Sequence, residues 1–305
     1  MIQQPSSRSR QVVKVGATRV WPGWLAVALI PVLVLIFAPA DWPRWAVMVA
    51  IVLGEMAVLK WLTWQTCDAA GVPWWRQVAY LLAWPGLDAT AFLGARHADW
   101  PGRREWLGSL ANIAGGATLC WGAARVIPVH DELILGWVGI VGIILIVHCG
   151  LFRLLSCGWR ALGIDASPLM NRPLLARSVS DFWGNRWNIA YRDFAHRLVF
   201  RPLTVRLGWR WAAVAVFVFS GLIHELVISI PAGGGYGGPM LYFLVQALAL
   251  FLERWRHGRR LGLGEGVRGW VFAMIAVVGP ACALFHPPFV QTVVFPLMLA
   301  TGMAE

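Results

Sequence analysis

The sequence predicts an all-α, polytopic membrane protein, and three observations predict it. Hydrophobic residues make up 58% of the 305 positions and charged residues only 13%. The mean hydropathy is +0.63. Apolar runs close to the roughly 17–25 residues that cross a bilayer recur along the whole chain. A soluble domain carries about a quarter charged residues, so this chain has too few to coat a water-facing surface. An ordinary soluble enzyme, a disordered chain and a disulfide-stapled module are all excluded.

The elements follow in order. A basic tail, residues 1–20, carries Arg8, Arg10, Lys14 and Arg19. It leads into one membrane-embedded unit, 21–305. The first apolar run, 21–38, ends in Ala38-Pro39-Ala40, which has the look of a cleavage site. Its length and the many runs behind it predict a retained first span. Further spans are predicted over 45–62, 107–124, 133–154, 211–230, 238–253, 269–285 and 289–303, about eight in all. The stretch 78–95 is interrupted by Trp84-Pro85-Gly86 and contains Asp88. A broken, charged segment is expected to re-enter or lie in the interface rather than cross.

Charge supports this arrangement. Lys plus Arg is 26 against 15 acidic residues, a net +11. With the N-terminus in the cytoplasm and 78–95 returning to its own side, Arg44 and Arg125 are the only basic residues outside. The other 24 of 26 fall inside or at the inner edge, a positive-inside pattern that also puts the C-terminus inside. Topology and membrane lipid therefore account for the basic charge, and no nucleic-acid partner is expected. The 20 tryptophans often sit at run ends, as in interfacial belts. Cys67, Cys120, Cys149, Cys157 and Cys282 are scattered, without a CxxC pair or metal-ligand spacing. No metal or cofactor is expected.

From 178 to 200 arginines alternate with aromatics, which predicts an amphipathic helix in or dipping from the interface, stopped by Pro202. Ionisable residues at membrane depth are the functional candidates, because each is costly there. His148 and Glu253 lie near span ends, where a side chain can snorkel. Glu55 lies deeper. His286 precedes Pro287-Pro288 and reads as a turn residue. His224 stands well inside the fifth span, in FVFSGLIHELVISI. Ser220 and Gly221, four and three residues earlier, share its helical face. Gly221 would leave room for a substrate beside the imidazole, and Ser220 adds a hydroxyl. Spacing alone equally allows a buried histidine that bonds a neighbouring helix. His224-Glu225 is not the start of a zinc-protease HExxH, since position 228 is Ile.

Two segments then acquire meaning together. Ser178–Pro202, SVSDFWGNRWNIAYRDFAHRLVFRP, resembles the signature of the wax synthase branch of the membrane-bound O-acyltransferases. It matches at Ser178, Ser180, Phe182, Trp183, Gly184, Arg186, Trp187, Asn188, Asp193, Arg197 and Pro202. The second half of that signature, S-G-L-x-H-E-L, is met by Ser220, Gly221, Leu222, His224, Glu225 and Leu226. The resemblance covers about 165–255, with a weaker shared element at Tyr80–Ala89. It implies transfer of a fatty acyl group from acyl-CoA, as co-substrate, to an alcohol. It implies His224 as the intramembrane catalytic histidine and Asn188 as its asparagine. Trp183, Trp187, Arg186, Arg197, Ser220 and Gly221 become candidate substrate-binding residues. The two tryptophans could wall the acyl channel or anchor the interface. Arg186, Arg192, Arg197 and Arg201 could meet CoA phosphates or simply face anionic lipid. A different hydroxyl acceptor (sterol-like, glycan or polyketide) fits the same residues. So does a transporter or scaffold in which His224 and Glu225 relay protons.

Overall fold

The computed structural model describes residues 21–304, so the basic tail lies outside the described residues. The described chain is helical. In order it contains α1 (Trp21–Phe37), α2 (Arg44–Gln65), α3 (Trp74–Ala83), α4 (Ala89–Leu93) and α5 (Arg103–Ala117). Then come α6 (Glu132–Ala161), α7 (Ile189–Ala232), α8 (Gly238–Arg254), α9 (Gly266–Leu284) and α10 (Pro287–Ala300). The multi-pass, all-α reading is correct.

The count of about eight spans is not reached. Among the described residues four helices, α2, α6, α7 and α9, are long and apolar enough to cross a bilayer. Each shortfall has a local cause. α8 has only 17 residues, about 26 Å of helix against a hydrocarbon core of about 30 Å. Its start is delayed by the Gly-rich turn, where Gly233, Gly235 and Gly237 take positive φ. α5 begins on Arg103, Arg104 and Glu105, which lower its hydropathy. α1 and α10 are short apolar helices.

Two boundaries also differ from expectation. Pro202 does not stop a helix. It lies inside α7, directly after the π-turn His196–Phe200. The break falls instead at Gly208, with φ 77° and ψ 165°. Nor is 178–200 one helix. It divides at Trp187–Asn188, because Asn188 takes a left-handed φ of 42°, a conformation Asn tolerates better than most residues.

The interruption at 84–88 is present, and a buried lysine secures it. Lys60 on α2 is 3% exposed. Its Nζ donates to the carbonyls of Tyr80 and Gly86, both at 2.6 Å, and stands 3.7 Å from the Tyr80 ring centroid. The Tyr80 carbonyl belongs to the last turn of α3, where no intrahelical donor remains. The cation supplies that donor and favours the negative helix end. Thr63 Oγ1 adds a 2.6 Å bond to Tyr80 Oη. Lys60→Met keeps the bulk but leaves two buried carbonyls unpaired, at about 1–3 kcal/mol each. The expected result is a melting temperature several degrees lower in detergent. An unchanged melting temperature would show that water replaces the ammonium.

Two apolar cores flank the middle of α7. One joins α6, α8, α9 and α10 around Phe217, Tyr242, Phe243, Ala247, Val293 and Met298. The other joins α2, α3 and α4 to Phe194 and Ile223 of α7. The candidate site residues on α7 lie between them.

Candidate active site

The site is assembled from the segment 166–200 and the end of the long helix α7. Backbone bonds pin the first part in place: Asn171 N to Arg186 O at 2.8 Å and Ile189 N to Leu169 O at 3.0 Å. Glu253, at the end of α8, holds the beginning of the motif. It is 4% exposed and accepts from Val179 N at 2.7 Å, from Ser180 N at 3.0 Å, and from the Ser180 hydroxyl. A snorkelling side chain was expected there. The three donors at the start of the motif explain why a carboxylate turns inward instead.

His224 ends the regular part of α7, and a π-turn, Glu225–Ser229, follows it. Such turns recur at functional sites because they re-aim side chains. His224 Nδ1 lies 2.7 Å from Ser220 O. A carbonyl can only accept, so Nδ1 carries the hydrogen and Nε2 presents its lone pair. Among the described residues Nε2 meets no hydrogen-bond partner, and the side chain keeps some accessible surface. The imidazole packs on Phe243 with centroids 4.6 Å apart. Phe243 in turn packs on Trp183, at 5.6 Å. The two halves of the motif therefore meet through Phe243.

They meet a second time through Tyr191. Asn188 caps the first turn of α7, its Oδ1 accepting from Tyr191 N at 3.3 Å. The Tyr191 ring lies parallel to Phe219 at 6.1 Å, and its hydroxyl is buried without a hydrogen-bond partner among the described residues. Asn188 is thus linked through Tyr191 to Phe219, the residue before Ser220. Asn188 uses its oxygen for the cap, while its amide N–H groups have no partner among the described residues.

Other predicted site residues have different roles. Gly221 does not open a space beside the imidazole. A Cβ there would stand 2.9 Å from Met240 Sδ and 3.1 Å from Met240 Cα, so this glycine lets α7 and α8 pack closely. Ser220 is buried and its Oγ donates to Val216 O at 2.9 Å. Arg186 Nε binds Asp181 Oδ2 at 2.6 Å. Burial would raise the Asp181 carboxyl, but Arg186, the Arg177 N–H and Asn185 together hold it below the usual range. Arg192 donates to Gly184 O at 2.5 Å, and Arg197 pairs with Asp88 at 2.8 Å. These three arginines brace the fold, whereas Arg201 stays exposed. Trp183 donates from Nε1 to Gln246 at 3.2 Å and is no surface anchor. Trp187 is sandwiched between Phe182, at 5.7 Å and 12°, and His148, at 6.2 Å and 15°.

His148 lies deeper than its sequence position suggested. Its helix continues to Ala161 through a π-segment, Ile144–Leu151. His286 is buried, but both ring nitrogens are occupied. Nδ1 accepts from Phe289 N and Nε2 meets the Ser229 hydroxyl, each at 3.2 Å. It is a turn residue, as read from Pro287-Pro288. Glu225 Oε1 accepts from Gly237 N at 3.0 Å and Met240 N at 3.1 Å, which caps the start of α8.

A cleft of about 1190 Å³ opens where the motif begins, lined by Ser178, Ser180, Trp209, Arg210, Arg254 and Arg259 among others. The Arg210 and Arg254 guanidiniums each stand 5.7 Å from the Trp209 ring. Glu265 also lines it. These basic residues carry no motif, and only the fold brings them together.

Residues 166–245 match the family model described as "Membrane bound O-acyl transferase family". Curated relatives agree in the same branch. A long-chain-alcohol O-fatty-acyltransferase of Simmondsia chinensis is 40% identical over 73 residues, 21% of each chain. The motif region of this chain is thus similar to members of the membrane-bound O-acyltransferase superfamily. A probable long-chain-alcohol O-fatty-acyltransferase 7 of Arabidopsis thaliana is 29% identical over 143 residues, 43% of this chain and 42% of its own. An acyl-CoA–sterol O-acyltransferase 1 of the same plant is 38% identical over 71 residues, 21% of each. The matches thus span between about a fifth and two fifths of the length of these relatives. Within the superfamily they fall in the wax and long-chain-alcohol acyltransferase branch.

Proposed function

We propose that this protein is a membrane-bound O-acyltransferase that moves a fatty acyl group from acyl-CoA to a hydroxyl of a lipid-soluble alcohol, with His224 as general base. The observation that carries this reading is the orientation of His224. One ring nitrogen is tied to Ser220 O, and the other holds an unshared lone pair within the region that matches the family model.

The step balances without a covalent enzyme intermediate. Nε2 accepts the hydroxyl proton as the alcohol oxygen bonds to the thioester carbonyl carbon. Negative charge collects on the carbonyl oxygen, where a free N–H of Asn188 can donate. Collapse breaks the C–S bond, and the departing thiolate takes the proton back from the imidazolium. Ester and CoA thiol result. The acyl chain enters from hydrocarbon, between helices. With the motif's leading edge facing the cytoplasm, as the positive-inside count predicts, the polyanionic end of CoA would rest in the cleft of Arg210, Arg254 and Arg259. Arg186, Arg192 and Arg197 are engaged by carboxylates or a backbone carbonyl, whereas Arg254 in the cleft hydrogen-bonds only the neutral Ser180 hydroxyl among the described residues.

Glu225 Oε1 caps the following helix, so a proton relay through Glu225 would run through Oε2, which is buried without a partner among the described residues. The test is incubation of the purified full-length protein with labelled palmitoyl-CoA and a panel of alcohols. Ester and free CoA should appear in equal amounts. Neither ester nor CoA release with any acceptor would overturn the reading.

A further inference from the structure

The entry into α8 leaves backbone N–H groups to be satisfied. The chain turns into that helix at Gly237, with φ 85°, a left-handed conformation that favours glycine. A glycine has no side chain, so it cannot cap the helix it begins. The first N–H groups of a helix need partners from outside the helical ladder. Gly238 N finds Gly235 O at 3.0 Å, and Pro239 has no N–H to satisfy. That leaves Gly237 N and Met240 N. Both donate to one atom, Glu225 Oε1, at 3.0 and 3.1 Å. The cap of α8 thus comes from α7, from the residue next to His224.

The same stretch of α7 grips Met240 a second time. Gly221 stands so close that an added Cβ would lie 3.1 Å from Met240 Cα. The residues three before and one after His224 therefore both hold Met240, one at its Cα and one at its N–H. Phe243 follows Met240 by three residues, one turn along the helix, and packs on the imidazole with centroids 4.6 Å apart. The contacts close a ring that runs from His224 through Glu225, the first turn of α8 and Phe243 back to His224.

We infer that Glu225 is a positioning residue for His224. Its carboxylate sets the first turn of α8, that turn sets Phe243, and Phe243 together with Ser220 O fixes the direction of Nε2. The kinetic part of this inference rests on the acyl-transfer reading, and the clamp itself does not. A negative group suits the positive end of a helix, and Oε1 alone makes both bonds. Oε2 is buried without a partner among the described residues, so it is the atom a proton relay must use and the cap does not. One substitution separates the two roles. In Glu225→Gln the amide oxygen still accepts both N–H groups, but no atom can carry a proton.

The experiment compares wild type, Glu225→Gln and Glu225→Ala as full-length proteins in detergent. The first readout is amide hydrogen exchange over residues 237–243, which requires no turnover. Glu225→Ala should exchange about tenfold faster there, the value of one hydrogen bond to a charged group, and Glu225→Gln should stay close to wild type. The second is kcat and KM with labelled palmitoyl-CoA and hexadecan-1-ol. Glu225→Ala should lose about tenfold in kcat, inside the roughly 10²-fold that a 1 Å misplacement can bring, with KM unchanged. Glu225→Gln should stay within about threefold. The third is a double variant. Phe243→Leu lowers kcat by itself, and adding Glu225→Ala should lower it little further, because Glu225 acts through Phe243. Glu225→Asp, with its oxygens drawn back by one methylene, takes the place of alanine if the alanine variant does not assemble, with the same expectations. A glutamine variant as slow as alanine but with wild-type exchange gives Oε2 the proton-carrying role and overturns the inference. Unchanged exchange or unchanged kcat in Glu225→Ala overturns it too, as does a double variant whose losses simply multiply. A wild type that makes no ester from any alcohol sinks the acyl-transfer reading, and the exchange pattern then decides the clamp by itself.

Discussion

Replacing His224 by alanine should lower ester formation about 10²–10⁴-fold, the range that one general base contributes, while the protein still assembles in the membrane. The expectation follows from where the ring's bonds go. Its one internal hydrogen bond is to a backbone carbonyl of its own helix, at 2.7 Å, and its one aromatic partner is Phe243. Losing these removes contacts but orphans no buried charge. The remaining acceptor, Ser220 O, sits in a helix whose backbone persists. His224→Gln keeps an amide that can still reach that carbonyl, and it too should be inactive because an amide is no base at neutral pH. Both variants should melt within a few degrees of wild type and still bind acyl-CoA. A variant that turns over at the wild-type rate removes the imidazole from the mechanism. One that fails to assemble shows that the ring is a packing residue.

Much of this site was readable in the sequence because its parts have local causes. The depth of His224 follows from the length of the apolar run around it. The S-G-L-x-H-E-L pattern is a stretch of one helix, so its spacing translates directly into a face. The break at Trp84-Pro85-Gly86 needs only the backbone chemistry of Pro and Gly. What was not readable depends on distant partners. Glu253 was expected to snorkel from a span end, but the donors it serves are Val179 and Ser180, more than 70 residues earlier. Lys60, inside the predicted span 45–62, was passed over, because the carbonyls it satisfies, Tyr80 and Gly86, meet it only once α3 folds back on α2.

The arginines show the same limit from the other side. Arg186 and Arg197 carry the look of a phosphate site because cations repeat along 172–210. Their partners, Asp181 and Asp88, turn them into internal ties. The cleft of Arg210, Arg254 and Arg259 draws on α7, α8 and the short helix Arg256–Arg260 that follows α8. Gly221 was misread for a related reason. A missing side chain signals either a void or a close neighbour, and only the position of Met240 decides for the neighbour. Four long apolar helices stand where about eight spans were expected among the described residues, since the Gly-rich turn shortens α8 and the charges at the head of α5 lower its hydropathy.

Asn188 separates backbone from chemistry most sharply, because its oxygen, its amide and its φ can be changed independently. The residue sits at φ 42°, a region closed to most L side chains but open to Asn, Asp and Gly. Its oxygen caps Tyr191 N. Its N–H groups are the candidate oxyanion donors. Asn188→Asp keeps the tolerated φ and the capping oxygen, and it removes both donors. Asn188→Gly keeps the φ and removes cap and donors, at a cost in the cap of only a few tenths of a kcal/mol. Asn188→Ala forces a Cβ into the left-handed region, at about 1–2 kcal/mol, and loses the rest as well. If Asn188 is purely a turn residue, the order of damage is Ala worst, Gly slight, and Asp close to wild type. If its amide stabilises the tetrahedral oxyanion, Asp and Gly should both lose about 10²–10³-fold in kcat with melting temperatures near wild type. Asp should be the more damaged of the two, since a carboxylate there repels the charge that forms. Turnover and melting temperature measured on the same three proteins decide between these orders, and an Asp variant with wild-type kcat rules the amide out of the chemistry.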